Sequence, residues 1–296
     1  MASSSEYAEA LEVAKAAALA AGEVITRAFN SADKGVKDKG KSTDLVTATD
    51  QACETLIRRA IEEKFPDHAF IGEEEVAQAG RTPELTDAPT WMCDPLDGTT
   101  NFVHSFPFVC TCVALVVNKQ VVVGVVHNPI LGETFTAERG CGAYLNGRPI
   151  SASPETQLDK ALVATEIGVH RDFETMMAIM ERIMKLSSAS RSMRACGSCA
   201  MNICGVAMGR LDAFFEIGFG GCWDVAAASL ILEEAGGKVL DPSGSPFDIM
   251  GRRVLATNAH LATPISDILG ACFTGPSEPE AAGYQGQSST KAAPPC

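Results

Sequence analysis

The chain lacks any apolar stretch approaching the roughly 20 residues needed to cross a bilayer as a helix, so nothing in it reads as a membrane anchor. It is also short of positive charge. Lys and Arg total 24 against 37 Asp and Glu, a formal net charge of −13, which argues against nucleic acid or an anionic membrane as partner. The first residues, Met1-Ala-Ser-Ser-Ser-Glu6, carry no basic group, and the Ala-rich run behind them holds Glu9, Glu12 and Glu23. Neither a secretory signal nor an acid-poor transit peptide is legible there, and a cytoplasmic protein is expected. Histidine is sparse as well: five residues, dispersed, with no His-x₃-His pair, and none is assigned a catalytic role. Cysteine is present 11 times, an odd count without the spacing of a small cross-linked domain, which fits reduced thiols. No internal repeat is found.

What remains is an ordinary globular composition, 46% hydrophobic and 21% charged over 296 residues, enough for one large or two fused domains. Residues 7–29 read as one Ala-rich helix, 34–41 as a Gly/Lys loop, and 50–65 as a second helix ended by Pro66-Asp67. Stretches 109–117, 121–126 and 133–137 are β-rich, and Asn146-Gly147 is a hairpin signal. Residues 1–150 are therefore expected to form an α+β half, an antiparallel sheet backed by two helices. From about Ala152 strands and helices alternate, so 151–274 read as an α/β half with a mixed sheet. Residues 275–296 are rich in Gly, Pro, Ser, Gln and Ala and are expected to be a disordered tail.

Three acidic features stand out. Trp91-Met-Cys-Asp94-Pro-Leu-Asp97-Gly-Thr-Thr-Asn101 puts two carboxylates three residues apart at the end of a strand, before a Gly-Thr-Thr turn. Aspartates are hard oxygen ligands suited to Mg²⁺, and free backbone amides at a turn or first helical turn bind anions; a simple Asp-capped turn accounts for the same residues. Gly72-Glu73-Glu74-Glu75 crowds three acids at the end of another strand, a solvated loop unless a cation relieves the repulsion. Cys222-Trp223-Asp224 opens a helix ended by Gly236-Gly237, with Asp224 at or beside the N-cap.

Together with Asp44-Leu-Val-Thr-Ala-Thr-Asp50 and Glu234-Ala-Gly-Gly237, these motifs, in this order, resemble the inositol monophosphatase family of Mg²⁺-dependent, lithium-sensitive phosphomonoesterases, over nearly the whole chain. The resemblance implies an α/β fold, a layered αβαβα sandwich. It also implies two to three Mg²⁺ ions per site, a small-molecule phosphate ester as substrate, and a homodimer. Carried over residue by residue, Glu73, Asp94 and the Leu96 carbonyl hold the first ion, and Asp94, Asp97 and Asp224 the second. Asp50 and Thr99, with Glu73, form the set that activates water. Glu74 orients that shell or faces solvent. The amides of Gly98, Thr99 and Thr100 cradle phosphate. Gly197, Ser198, Cys199, Glu216 and Asp224 line the alcohol. The reaction implied is hydrolysis of myo-inositol monophosphate by direct water attack with inversion at phosphorus, inhibited by lithium at the second metal.

Two departures touch the alcohol side. The stretch Gly218-Phe-Gly-Gly221 is one residue longer than in the animal enzymes, and Val169 stands where they carry serine. The longer loop is more like plant-type members, some of which also hydrolyse L-galactose 1-phosphate on the ascorbate route, so that ester, or both, is the alternative substrate. A thiol hydrolase at Cys196 and Cys199 is a rival from another class. It fails on context, because fewer than one hundred residues follow and the expected partners lie 130 to 150 downstream. Lys39 and Lys41 are placed in a solvated loop.

Overall fold

The computed structural model describes residues 6–31, 34–41 and 44–281. Two helices, α1 (Ala8–Phe29) and α2 (Ala48–Lys64), lie side by side, joined through a small hairpin of β1 (Lys37–Lys41) and β2 (Asp44–Val46). Part of the expected Gly/Lys loop is thus a strand, paired Lys37 to Val46; the side chains of Lys39 and Lys41 lie outside the described residues. Buried Ala10, Ala14, Ala17, Ala18, Ala21 and Ile25 recur at helical spacing on α1, a small-residue stripe that lets it pack closely.

Seven strands follow in one sheet, in chain order: β3 (Ala69–Gly72), β4 (Thr90–Asp97), β5 (Cys110–Val117), β6 (Gln120–Asn128), β7 (Glu133–Glu138), β8 (Ala143–Leu145) and β9 (Arg148–Pro149). All neighbours are antiparallel except β3 with β4. Asn146 and Gly147, both at positive φ, turn the last hairpin. Two short helices interrupt the strands, α3 (Glu73–Ala79) directly after β3 and α4 (Thr99–Val103) directly after β4.

The second sheet runs β11 (Ser192–Arg194), β10 (Leu162–Thr165), β12 (Ala213–Ile217), β14 (Arg253–Thr257), β13 (Lys238–Leu240). It is mixed: β10 pairs parallel with β11 and β12, and β14 antiparallel with β12 and β13. Helices α6 (Cys199–Ala207) and α7 (Cys222–Glu234) fill the space between the sheets, while α5 (Phe173–Ala189) and α8 (Ala262–Gly270) cover the other face of the second.

The result is the five-layered α/β sandwich. Strand β5 explains why both its faces are apolar: Cys112, Ala114 and Val116 pack toward α6 and α7, and Val113 and Leu115 toward α1 and α2. α7 lies directly on the first sheet, since a Cβ at Gly124 would sit 2.5 Å from the Ala227 carbonyl oxygen. One core cluster therefore draws on both halves of the chain, and the helices expected to belong to the second half cover the first sheet.

The chain also stays ordered past Thr274, where a tail was expected. Glu278 is buried against Arg182, Gly275 donates to Glu278, and Ser277 donates to Asp172. Polar composition misled here because these residues are fixed by one buried ion pair and by hydrogen bonds rather than by apolar burial. The remainder of the expected tail, 282–296, lies outside the described residues.

Candidate active site

Asp94 and Asp97 end β4, where the strand bulges between them. Gly98 then takes φ 88° and ψ 39°, and α4 starts at Thr99. A side chain at 98 would be strained by that conformation, and its Cβ would lie 2.9 Å from the Phe108 carbonyl oxygen. Glu73 is the first residue of α3, not the end of a strand, because β3 turns directly into that helix. Asp224 is the third residue of α7, with Gly221 at the N-cap donating its amide to Asp224 Oδ2 at 3.1 Å. It therefore lies inside the first turn rather than at the cap.

The fold brings Glu73, Asp94, Asp97 and Asp224 within range of one another's charge. Burial pushes the Asp94 carboxyl well above the usual carboxylate range, and the charges of Glu73, Asp97 and Asp224 push it further. Burial, then Asp97 and Glu73, raise Asp224 to about 8. Burial raises Asp97 too, against hydrogen bonds from Ser198 (2.6 Å) and the Ala200 amide (2.8 Å). Among the described residues no Lys or Arg forms an ion pair with Asp94, Asp97 or Asp224. Buried, mutually repelling carboxylates without a basic partner are a donor set that fits hard divalent cations.

Among the described residues, Asp97, Cys110 and Cys112 bring one ligand-type atom each within 4.8 Å of one another. Cys110 Sγ lies 3.7 Å from Asp97 Oδ2 and 3.8 Å from Cys112 Sγ, and burial pushes both thiols above their ordinary value. The neutral Cys110 thiol donates to Asp97, while Cys112 packs against Cys110.

Asp50 and Thr99 meet beside this cluster. Thr99 Oγ1 is 3.2 Å from Asp50 Oδ1 and 3.1 Å from the Leu96 carbonyl oxygen. Asp50 is aimed by the capping box of α2, in which the Thr47 amide and hydroxyl both donate to its Oδ2. Burial raises Asp50 to about 7, with the Thr47 bonds working against it and the Glu73 charge with it. Thr100 follows in the first turn of α4, where amides have no intrahelical acceptor.

On the alcohol side, Glu216 is the last but one residue of β12, with Oε2 buried and without a hydrogen-bond partner. Burial and the charges of Glu166, Asp224 and Asp97 push its carboxyl well up. Ser198 caps α6, and Gly197 and Cys199 flank it. Burial, with Glu216 and Asp224 next, pushes the Cys199 thiol far above its usual value, and Cys196 is raised as well. Neither thiol is hydrogen-bonded to a histidine among the described residues. The thiol-hydrolase reading fails on these grounds, since the nucleophile would have to be the thiolate.

Three residues with no assigned role support the site. Glu166 accepts from the amides of Cys196 (2.8 Å) and Gly197 (2.7 Å) and from Asn202 Nδ2 (2.6 Å), fixing the segment that leads into α6. Asn101 donates to the carbonyls of Phe108 (2.8 Å) and Cys196 (2.7 Å), tying the Gly98 turn to that same segment. Glu54 accepts from the amides of Glu74 (2.8 Å) and Glu75 (2.9 Å) and seats the first turn of α3; burial raises it to about 7. Glu54 had a signal, an acid on the apolar face of α2 one turn beyond Asp50. Glu166 had none. A surface depression of about 460 Å³ lined by Arg27, Lys34, Ala48 and Thr49 includes none of the clustered acids.

The fold is a five-layered α/β sandwich that gathers buried acids from strand and helix ends beside the Gly98 turn, a donor set that fits a divalent cation. Comparison with known proteins specifies it further. The model of the inositol monophosphatase family matches residues 6–269. Inositol monophosphatase 2 of Solanum lycopersicum is 58% identical over 253 residues, covering 86% of this chain and 95% of that one. Inositol monophosphatase 1 of Homo sapiens is 44% identical over 254 residues, covering 86% and 91%. The structure of inositol monophosphatase from Anabaena superposes with a TM-score of 0.73 at 33% identity, covering 88% of this chain and 94% of that one. The chain belongs to the inositol monophosphatase family, whose members are phosphatases and generally metal-dependent.

Proposed function

We propose that the protein hydrolyses myo-inositol monophosphate to myo-inositol and phosphate by direct attack of water, with Mg²⁺ as its metal. The observation that carries this reading is the meeting of the Asp50–Thr99 pair with the acidic cluster at the Gly98 turn. Glu73, Asp94 and the Leu96 carbonyl would hold one ion, and Asp94, Asp97 and Asp224 a second. When bound, the ions supply positive charge against the phosphate oxygens and the departing alkoxide.

The chain's own residues do the rest. Thr99 donates to Asp50, which leaves its oxygen lone pairs free to accept from the attacking water; as water attacks phosphorus, its proton passes to Thr99 while the Thr99 proton goes to Asp50. The amides of Gly98, Thr99 and Thr100 receive the phosphate oxygens. Glu216, with an unpartnered buried oxygen, accepts a ring hydroxyl, and Gly197, Ser198 and Cys199 line that side. The test is kcat/KM for inositol 1-phosphate against L-galactose 1-phosphate. A preference for the galactose ester would replace the substrate while leaving the chemistry.

A homodimer belongs to the same proposal. Its support is an apolar stripe on α5, where Phe173, Met177, Met180 and Met184 are exposed at helical spacing. Light scattering of the wild type and of Met177→Glu/Met184→Glu tests it: a dimer converted to monomer is expected, and a monomeric wild type would refute it.

A further inference from the structure

Four residues, Gly218-Phe219-Gly220-Gly221, connect β12 to α7, so Glu216 stands just before this connector and Asp224 just after it. The connector touches the site at close quarters. A Cβ at Gly220 would lie 3.0 Å from Asp224 Oδ2, and one at Gly221 would lie 2.6 Å from the Trp223 ring. Phe219 is buried. Glycines supply no side-chain anchor, and three in four residues would leave such a segment free to adopt many conformations.

Arg252 removes that freedom. It precedes β14, and three hydrogen bonds join it to the connector. Its carbonyl accepts from the Gly218 amide at 2.9 Å, Nε donates to the Phe219 carbonyl at 2.5 Å, and Nη2 donates to the Gly218 carbonyl at 3.1 Å. The backbone is bent to make this possible: Arg252 has φ 55°, in the left-handed region that non-glycine residues seldom adopt. A strained residue that clamps two carbonyls of a wall beside two buried acids is placed to shape what that wall encloses. Part of the enclosure is unfilled, since Glu216 Oε2 and Trp223 Nε1 are both buried without partners.

We propose that Arg252 is a positioning residue that holds the Gly218–Gly221 wall between Glu216 and Asp224, and so selects phosphate esters whose alcohol is a polyhydroxylated ring. The selectivity part rests on the function proposed above; the clamp does not. Asp224 is carried by α7 but also accepts from the Gly221 amide of this wall at 3.1 Å, so loosening the wall is expected to slow both kinds of ester, and the effect on the alcohol is read from the ratio between them.

The experiment compares Arg252→Ala, Arg252→Lys and Arg252→Gly with wild type on inositol 1-phosphate and on 4-nitrophenyl phosphate, whose alcohol carries no ring hydroxyls. The ratio of kcat/KM for the two esters should fall on the order of tenfold in Arg252→Ala and Arg252→Gly, with Arg252→Lys between. Arg252→Gly relieves the left-handed backbone without supplying the guanidinium, so wild-type selectivity in that variant would overturn the proposal. So would equal losses on both esters that follow the melting temperature. The metal-free proteins give a second readout, because Trp91 is fully buried and Trp223 packs on the wall. Acrylamide should quench tryptophan emission more in Arg252→Ala than in wild type, and unchanged quenching would refute the clamp even if neither ester were hydrolysed.

Discussion

Thr99 Oγ1 and Asp50 Oδ1 lie 3.2 Å apart across 49 positions of chain, one in the first turn of α4 and the other in the first turn of α2. Because the Thr47 cap holds the far oxygen of Asp50, the near one is aimed without further support. Replacing Thr99 by Ala, or Asp50 by Asn, should lower kcat by about 10²- to 10⁴-fold with little change in KM. Thr99→Ser keeps the hydroxyl and should retain most of the activity. Steady-state kinetics on inositol 1-phosphate read this directly, and a defect confined to KM would assign the pair to binding.

That pair also marks what a linear chain can and cannot disclose. Asp94, Asp97 and the Gly98 turn are legible together because strand end, bulge and turn are local. The meeting of Asp50 with Thr99 is tertiary, and only the family resemblance suggested it. Helix α3 was hidden because three adjacent glutamates read as a loop, whereas buried Glu54 on α2 receives two of their amides. The layer order was likewise unreadable from periodicity, since α6 and α7 are buried on all sides and carry no amphipathic stripe to say which sheet they face. The Arg252 clamp is invisible for another reason: a left-handed arginine has no sequence signature.

Asp94 sits at the centre of the repelling acids, which suggests opposite effects on stability and function. Without metal, Asp94→Asn removes one of the mutually repelling buried carboxyls and should raise the melting temperature by a few degrees, yet abolish phosphatase activity. Mg²⁺ should stabilise the wild type by mass action and leave the variant's melting point unmoved. Chelation by EDTA should silence the wild type reversibly. Calorimetry that finds equal Mg²⁺ uptake by both proteins would remove Asp94 from the ligand set.

Arg182 and Glu278 form a bidentate pair, 4% and 2% exposed at their side chains, that fastens residues 275–280 to α5. Breaking a buried pair by removing one partner costs about 3–5 kcal/mol, because the other charge is left uncompensated. Glu278→Ala and a chain ended after Thr274 should therefore be destabilised alike in urea titrations. A truncated chain as stable as wild type would mean that the pair contributes nothing net.

Asp241 and Arg253 supply a pH test away from the site. Burial is the largest single influence on the Asp241 carboxyl and raises it, but the hydrogen bonds from Arg253, at 2.6 and 3.1 Å, those from Ser243, whose amide lies at 2.8 Å, and the Arg253 charge together outweigh it and hold the group below the usual carboxylate value. A carboxylate whose folded pKa is depressed binds protons less readily in the native than in the unfolded chain. Its stabilisation is therefore complete above the unfolded value, near 3.9, and is lost as pH falls through the folded one. Asp241→Asn should be less stable than wild type by about 3 kcal/mol at neutral pH, since it leaves the buried Arg253 without its counterion. The gap should stay level from pH 7 to 5 and close below about pH 4. Thermal unfolding of the two proteins across that range checks the sign: a gap that widens in acid would show that the pair does not hold Asp241 ionised.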